Sequence, residues 1–235
     1  APLDGRVGAA MDPCIAQQVV WEIPAEGARE VVFLFGEAQS AATAREIVAR
    51  LAAPGAASGA LETVRDFWRQ GVSGMRVSTP SPALDLMMNG WLPYQTLACR
   101  IWGRSAFYQS GGAYGFRDQL QDTAALVTLW PQLTRGQILL NAAHQFTEGD
   151  VLHWWHPPLS RGIRTRFADD LVWLPYLTAH YVRATGDVAV LDEHVRFLTA
   201  PPLAPGEDEA YLEPQDSGES ADLYDHCCRA LDRAL

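Results

Sequence analysis

The segment Gly111–Asp122, GGAYGFRDQLQD, combines a glycine-rich turn with three charged residues, Arg117, Asp118 and Asp122. An apolar run begins at Thr123, which predicts that a helix starts inside the segment. Acidic residues stabilise the first turn of a helix because its N–H groups are exposed, and this alone would account for Asp118. The helix start does not account for the preceding WGRSAFYQS, so a ligand site remains the alternative interpretation.

A second unusual segment, Glu148–Tyr176, contains His153 and His156 three positions apart. Such a pair could bind zinc, but no third ligand follows at the expected spacing, so we predict no metal site. Trp154 and Trp155 lie between the histidines, and aromatic faces commonly support sugar rings. A sugar-binding platform is at least as plausible as a metal site here, while burial in a core is the alternative for either tryptophan.

The same segment carries three arginines, Arg161, Arg164 and Arg166, ahead of an acidic pair, Asp169 and Asp170. At the start of a helix the pair could simply be an N-cap and a first-turn charge. A carboxyl group placed among aromatic and arginine side chains also has the surroundings that tune a general acid. The spacing alone supports both interpretations equally.

Mostly helical elements would position these residues. Alternating and apolar runs over Ile15–Glu37 predict a β-hairpin, which should belong to a larger sheet because two strands alone are marginally stable. Helical patterns follow over Ala38–Gln70, and about six helices alternate with loops after Pro82, one of them over Val188–Thr199. This arrangement suits helical hairpins whose loops form one functional face.

Composition limits the possible functions. The net charge of −10 and the pI near 5.0 argue against nucleic acid or an anionic membrane surface as the main partner. The four cysteines form no CxxC pattern, which favours a reducing compartment. No apolar run is long enough to span a bilayer and no signal peptide is evident, so we expect a cytoplasmic location.

Three long motifs resemble glycoside hydrolase family 94, formerly grouped as glycosyltransferase family 36: GRSAFYQSGGAYGFRDQLQD, QILLNAAHQFTEGDVLHWWHPP and RGIRTRFADDLVWLPY. The first and the last are most similar to the phosphorylase-like C-terminal region of the cyclic β-1,2-glucan synthase branch, in which the chain could belong to an inner-membrane protein. The resemblance implies the end of a β-sandwich domain at residues 1–37, a helical linker at 38–80 and the first half of an (α/α)6 barrel at 81–235.

The resemblance also implies an inverting glycoside phosphorylase that acts on β-1,2-glucan chains with inorganic phosphate as co-substrate and without a cofactor. Phosphate attacks the anomeric carbon itself, so a single carboxyl group suffices, as general acid to the leaving oxygen. In the family this acid is the first Asp of a pair placed two residues after an aromatic residue, which matches Phe167 and Asp169. Asp118, beside Arg117, matches the family's aspartate that binds sugar hydroxyls.

Two departures from the family pattern bear on sugar recognition. GGAYG stands where some disaccharide phosphorylases carry a further arginine, and Phe167 stands where some carry tryptophan, which removes an indole N–H donor. Both departures fit a different linkage preference. The predicted substrate-binding side chains are those of Tyr108, Gln109, Arg117, Asp118, Trp154, Trp155, Arg164, Arg166, Phe167 and Asp170.

The helix count predicts that the chain is a fragment, because a closed ring of six hairpins needs about twice the roughly six helices expected here. A half ring exposes apolar flanks, so we expect self-association or pairing with a chain that carries the other half. Two other function classes stay open. A hydrolase on the same ring would need a second carboxylate, for which Glu148 and Asp150 are candidates, and a non-catalytic carbohydrate-binding or assembly fragment would bind glycan without turnover.

Overall fold

The computed structural model describes Leu3, Gly5, Gly8 and residues 14–71, 74–104 and 111–235. The chain divides into two compact units, Ala1–Thr63 and Val64–Leu235. The helices are α1 (Ala41–Leu51), α2 (Ala56–Gly71), α3 (Pro82–Leu86), α4 (Leu92–Thr96), α5 (Phe116–Ala124), α6 (Pro131–Ala142), α7 (Asp170–Thr185) and α8 (Leu223–Ala234), with π-helical turns at Met87–Trp91 and Leu97–Ile101 and a 3-10 helix at Val188–Asp192. The strands are β1 (Tyr114–Gly115), β2 (Leu152–His156), β3 (Arg161–Thr165), β4 (His194–Thr199), β5 (Glu209–Leu212) and β6 (Gln215–Asp222).

The first unit does not form the β-hairpin predicted over Ile15–Glu37. The turn is present, since the N–H of Gly27 donates to the carbonyl of Pro24 at 2.9 Å, but residues 14–39 carry no strand. Two strands need a larger sheet to be stable, and no described segment of this unit supplies a third. The apolar side chains of the run, such as Phe35, are therefore exposed.

The core of the second unit lies among α5, α6, α7, α8 and β2, where the predicted helices are confirmed. Apolar residues three and four positions apart on each helix face inward, as amphipathic helices require. These helices do not by themselves establish the first half of an (α/α)6 barrel, which stays a prediction. The fully buried apolar side chains of this core include Phe116, Leu120, Ile138, Phe146, Leu152, Leu174, Leu177 and Leu223.

A four-stranded antiparallel sheet, in the order β1-β2-β3-β5, forms from segments for which no strand was predicted. Its central hairpin joins β2 to β3, with Trp155 opposite Gly162. Position 162 needs glycine because a Cβ there would overlap the carbonyl oxygen of Trp154. The sheet brings β1, which leads directly into α5, beside β2.

The helix predicted over Val188–Thr199 is wrong beyond Asp192. A 3-10 helix ends there, and the chain continues as β4, which pairs with β6 in a second, two-stranded sheet. The residues from His194 alternate polar and apolar, and Phe197 is fully buried. From His194 the apolar residues therefore follow the period of two that is typical of a strand. The helix prediction was wrong because it read residues 188–199 as one helical pattern.

A helix that crosses a bilayer must be both long enough and apolar enough to span the hydrocarbon core. No helix within the described ranges has both properties.

Candidate active site

A cleft of about 230 Å3 opens in the second unit where β1, the start of α5 and β2 meet. The two polar segments that the sequence singled out supply its walls, because Gly115 of β1 pairs with Trp154 of β2. The fold thus brings together residues nearly 40 positions apart. The cleft is lined by Ala113, Gly115, Arg117, Asp118, His153 and Trp154.

Gly115 fixes the position of the Asp118 carboxylate. It ends β1 and precedes α5 in an extended conformation, at φ −76° and ψ 135°. A Cβ at this position would lie 2.6 Å from Oδ2 of Asp118. The carboxylate therefore folds back over the start of its own helix, into space that only glycine leaves free.

The position of Asp118 is compatible with both interpretations of its segment. It lies in the first turn of α5, where its charge suits the exposed N–H groups, and its side chain is 40% exposed in the cleft. Behind it lies Arg104, which is buried and places Nη1 3.5 Å from Asp118 Oδ2 and Nη2 2.8 Å from Asp122 Oδ2. Arg104 was not among the predicted site residues, although it is the arginine of the GRSAFYQS motif.

Arg117 pairs with the predicted general acid. Its Nη1 donates to Oδ2 of Asp169 at 2.8 Å, and about half of each side chain is exposed. Asp169 immediately precedes α7, but its carboxylate makes no capping hydrogen bond, so the N-cap interpretation does not describe its geometry. The hydrogen bond from Arg117 lowers the pKa of Asp169, which favours the ionised form.

Asp170 differs from its neighbour in every respect. Only 3% of its side chain is exposed, and burial raises its pKa. Its Oδ2 accepts a hydrogen bond of 2.7 Å from Nδ1 of His153, and this bond in turn raises the pKa of the His153 imidazole. The structure therefore places Asp170 behind the wall of the cleft, bound to a residue that the sequence analysis had weighed only as a metal ligand.

The two tryptophans of β2 have different surroundings. Trp154 lines the cleft, with Tyr211 5.8 Å away between ring centroids. Trp155 is buried, and its ring stacks on His144 at 3.7 Å. Burial of His144 lowers its pKa to about 4, so this stack holds a neutral imidazole. Trp154 remains a candidate platform for a sugar ring. Trp155 is a core residue, which was the alternative interpretation for either tryptophan.

Arg164, predicted to bind substrate, is instead directed into the protein. Its side chain is 1% exposed, and it forms a bidentate pair with Asp150 at 2.6 and 2.7 Å. The remaining donors reach Glu148 and the carbonyls of Ala200 and Pro201. All five N–H groups are therefore used within the protein, and Asp150 is engaged as well.

Arg166 and Phe167 lie outside the cleft lining. Arg166 donates from Nε to the carbonyl of Glu207 at 2.7 Å and from Nη2 to two further carbonyls, so it holds the loop that leads to β5. Phe167 is 54% exposed, and its ring lies 4.7 Å from that of His153. Both residues line a separate cavity of about 280 Å3 beside Arg164, and Phe167 also contacts His153 of the cleft.

The remaining predicted residues complete the comparison. Tyr108 and Gln109 lie outside the described residues. His156 donates from Nε2 to the carbonyl of Gly111 at 2.8 Å, so the two histidines of β2 have separate partners. Over residues 14–71, 74–104 and 111–235, no group of three or more His, Cys, Asp or Glu side chains is arranged to hold a metal ion.

Comparison with protein families identifies two matching models. The model described as the Glycosyl hydrolase 94 superfamily, catalytic domain, matches residues 67–235 and so covers the whole cleft. The model described as the Glycosyl hydrolase 94, supersandwich domain, matches residues 1–54. The second match includes the stretch whose strands are not formed in the structure.

Individual relatives agree with these models. The chain is 44% identical over its full length to the cyclic beta-(1,2)-glucan synthase NdvB of Rhizobium meliloti, and covers 8% of that protein. It is 31% identical over 165 residues to the solabiose phosphorylase of Paenibacillus borealis, covering 70% of this chain and 20% of that protein. It is 25% identical over 197 residues to the N,N'-diacetylchitobiose phosphorylase of Vibrio furnissii, covering 72% and 22% respectively. The chain thus spans less than a quarter of each of these relatives.

Proposed function

Because the chain belongs to the glycosyl hydrolase 94 superfamily, we propose that its cleft is part of the sugar site of an inverting glycoside phosphorylase. The observation that carries the proposal is the convergence of Arg117, Asp118 and Asp169, which come from two separate motifs. Asp118 presents a half-exposed carboxylate that can accept hydrogen bonds from sugar hydroxyls, and Trp154 offers an aromatic face beside it.

Asp169 is the general acid of this proposal. Phosphate oxygen forms a bond to the anomeric carbon while the bond from that carbon to the glycosidic oxygen breaks. The Asp169 carboxyl gives its proton to the departing oxygen, so the products are a sugar 1-phosphate of inverted configuration and a shortened glycan. Inorganic phosphate is a substrate here, and the scheme needs no cofactor.

The ion pair with Arg117 sets a condition for this role. Asp169 must carry a proton to act, whereas Arg117 stabilises its ionised form. In the proposed mechanism, bound substrate draws the Arg117 guanidinium away from Asp169 and excludes water. Both changes favour the protonated carboxyl group, as a general acid requires.

The proposed substrate is a β-1,2-linked glucan, which the similarity to the cyclic glucan synthase supports. The experiment is to supply inorganic phosphate to the natural protein that carries this sequence and to measure release of α-glucose 1-phosphate. Linear β-1,2-glucooligosaccharides should react, and cellobiose should react more slowly. An equal or faster reaction of cellobiose would refute the linkage while leaving the reaction type intact.

A hydrolase on the same cleft is less well supported. Hydrolysis with inversion needs a second carboxylate to activate water. Asp150 is fully engaged by Arg164, and Glu148 also approaches Arg164, at 3.2 Å, so neither faces the cleft. Turnover without phosphate would contradict this assignment.

A non-catalytic glycan-binding fragment is the second candidate. It is favoured by the hydrogen bond from Arg117, which lowers the pKa of Asp169 and so disfavours the protonated form that a general acid needs. Binding of β-1,2-glucan without any turnover in the presence of phosphate would support this second candidate. Self-association of the chain stays a prediction, which sedimentation would test.

A further inference from the structure

His153 occupies an irregular position in β2. The register between β2 and β3 shifts between Leu152, which pairs with Arg164, and Trp154, which pairs with Ile163. His153 is therefore the extra residue of a β-bulge. Bulges often redirect a side chain next to a binding site, and here both His153 and its neighbour Trp154 line the same cleft.

Asp170 holds the imidazole in one orientation. A carboxylate can only accept, so Nδ1 of His153 is the donor in their 2.7 Å hydrogen bond. Asp170 is almost completely buried, and its second oxygen, Oδ1, has no hydrogen-bond partner in the described part of the chain. A buried carboxylate bound on one side by an imidazole is expensive as a purely structural device, because an unsatisfied buried acceptor costs free energy.

The other ring nitrogen of His153 points to a use for this arrangement. Its side chain is 31% exposed, and Nε2 has no hydrogen-bond partner among the described residues. Phe167 covers one side of the ring at 4.7 Å. An oriented imidazole with one occupied and one open nitrogen thus borders the cleft that also contains Arg117 and Asp118.

We propose that His153 is a substrate-contacting residue whose Nε2–H donates to a hydroxyl group of the sugar in the cleft, with Asp170 as the positioning residue behind it. The inference rests on the proposed function, because it assumes that the ligand is a β-linked glucan. It adds an opposite partner to Asp118: a carboxylate accepts from one hydroxyl while an imidazolium donates to another. Recognition of the sugar by an acceptor and a donor together is more selective than by either alone.

Protonation controls the donor. The charged groups around His153 come from two helices. Asp170 lies in the first turn of α7, directly after Asp169, and Arg117 and Asp118 lie at the start of α5. The hydrogen bond from Asp170 raises the pKa of His153. When the imidazolium loses its proton, Nδ1 keeps its hydrogen for Asp170 and Nε2 becomes an acceptor. Glucan binding should therefore weaken as the pH rises through the pKa of His153.

Two substitutions separate contact with the sugar from support of Asp170. His153→Asn keeps an amide near the position of Nδ1, where it can still reach Asp170, but places nothing at Nε2. His153→Gln keeps an amide donor near the position of Nε2. We expect the Asn variant of the 235-residue chain to lose about tenfold in affinity for a β-1,2-linked glucotriose, and the Gln variant to lose clearly less. Wild-type affinity in the Asn variant would overturn the proposal.

A measurement on the unaltered chain removes the dependence on how the variants fold. Imidazole nitrogen shifts are recorded by NMR while the glucotriose is added, with His194 on the exposed side of β4 as the internal reference. The Nε2 signal of His153 should move and that of His194 should not. Saturable glucan binding that leaves the His153 signal unchanged would overturn this inference alone. Absence of any glucan binding would overturn the proposed function as well.

Discussion

The guanidinium of Arg117 and the carboxylate of Asp169 form a hydrogen bond of 2.8 Å although 52 positions separate them in the chain. The bond joins the first turn of α5 to the residue before α7, so it ties the glycine turn to the acidic pair. It also lowers the pKa of the proposed general acid. The strength of this bond should therefore decide how readily Asp169 takes up a proton.

Substitution Arg117→Gln should raise the pKa of Asp169 toward the ordinary value for aspartate. The pair stabilises the folded chain above the unfolded pKa of aspartate, and this stabilisation is lost as the pH falls through the lowered pKa of Asp169. Carboxyl-carbon NMR titration measures the change. Arg69→Gln, which breaks an exposed pair with Asp66, is the control and should leave the Asp169 titration unchanged.

Substitution Asp169→Asn should reduce phosphorolysis by about two to four orders of magnitude in the natural protein that carries this sequence. Affinity for the glycan should largely persist, because proton donation acts in the transition state. Asp192→Asn, at the exposed end of the 3-10 helix, is the matched control. Near-normal turnover in the Asp169 variant would remove this residue from the mechanism.

Substitution Gly115→Ala should weaken glucan binding about tenfold, because the new methyl group displaces the Asp118 carboxylate and its hydrogen bonds to the ligand. Gly136→Ala in α6 meets no atom within 4 Å and should instead raise the free energy of unfolding by about 0.5–1 kcal/mol. Calorimetric titration and urea unfolding measure the two effects. Unchanged affinity in the Gly115 variant would show that Asp118 does not contact the glycan.

Substitution Arg164→Met should destabilise the second unit by about 3–5 kcal/mol, because it leaves Asp150 buried without its partner. Loss of the contact between the guanidinium and the Phe146 ring, 4.0 Å apart, acts in the same direction. Urea unfolding measures the change. Arg161→Gln removes an exposed pair with Glu213 and should have little effect, so equal losses in both variants would contradict the assigned role.

The glycine turn and the helix that follows it could be predicted from the sequence because both signals are local. Glycine, the acidic first turn and the apolar run together define the start of α5. The hairpin of β2 and β3 was not predicted, since two strands of five residues each, one made largely of histidine and tryptophan, give too short a pattern. β4 was missed because it directly follows a 3-10 helix with its own apolar residues.

The site was only partly predictable for a related reason. Asp118 and Asp169 could be singled out by motif, but their environments depend on residues from other elements. Arg164 and Arg166 look alike in the sequence, and the inward direction of Arg164 depends on partners from other segments, chiefly Asp150. The partnership of His153 and Asp170 depends on a bulge, which changes no residue type and leaves no signal in the sequence.

The bulge at His153 also determines which side chains of β2 face the core and which face the cleft. In a regular strand, neighbouring side chains alternate between faces, so odd and even positions have separate destinations. The extra residue resets this alternation once, which lets Leu152 and Trp155, three positions apart, both enter the core while His153 and Trp154 both border the cleft. Deleting one residue here would restore strict alternation. On one side of the deletion, side chains that face the core would then face the cleft, and the reverse. Evolution or engineering can therefore replace the side chain at position 153 far more easily than it can remove the position.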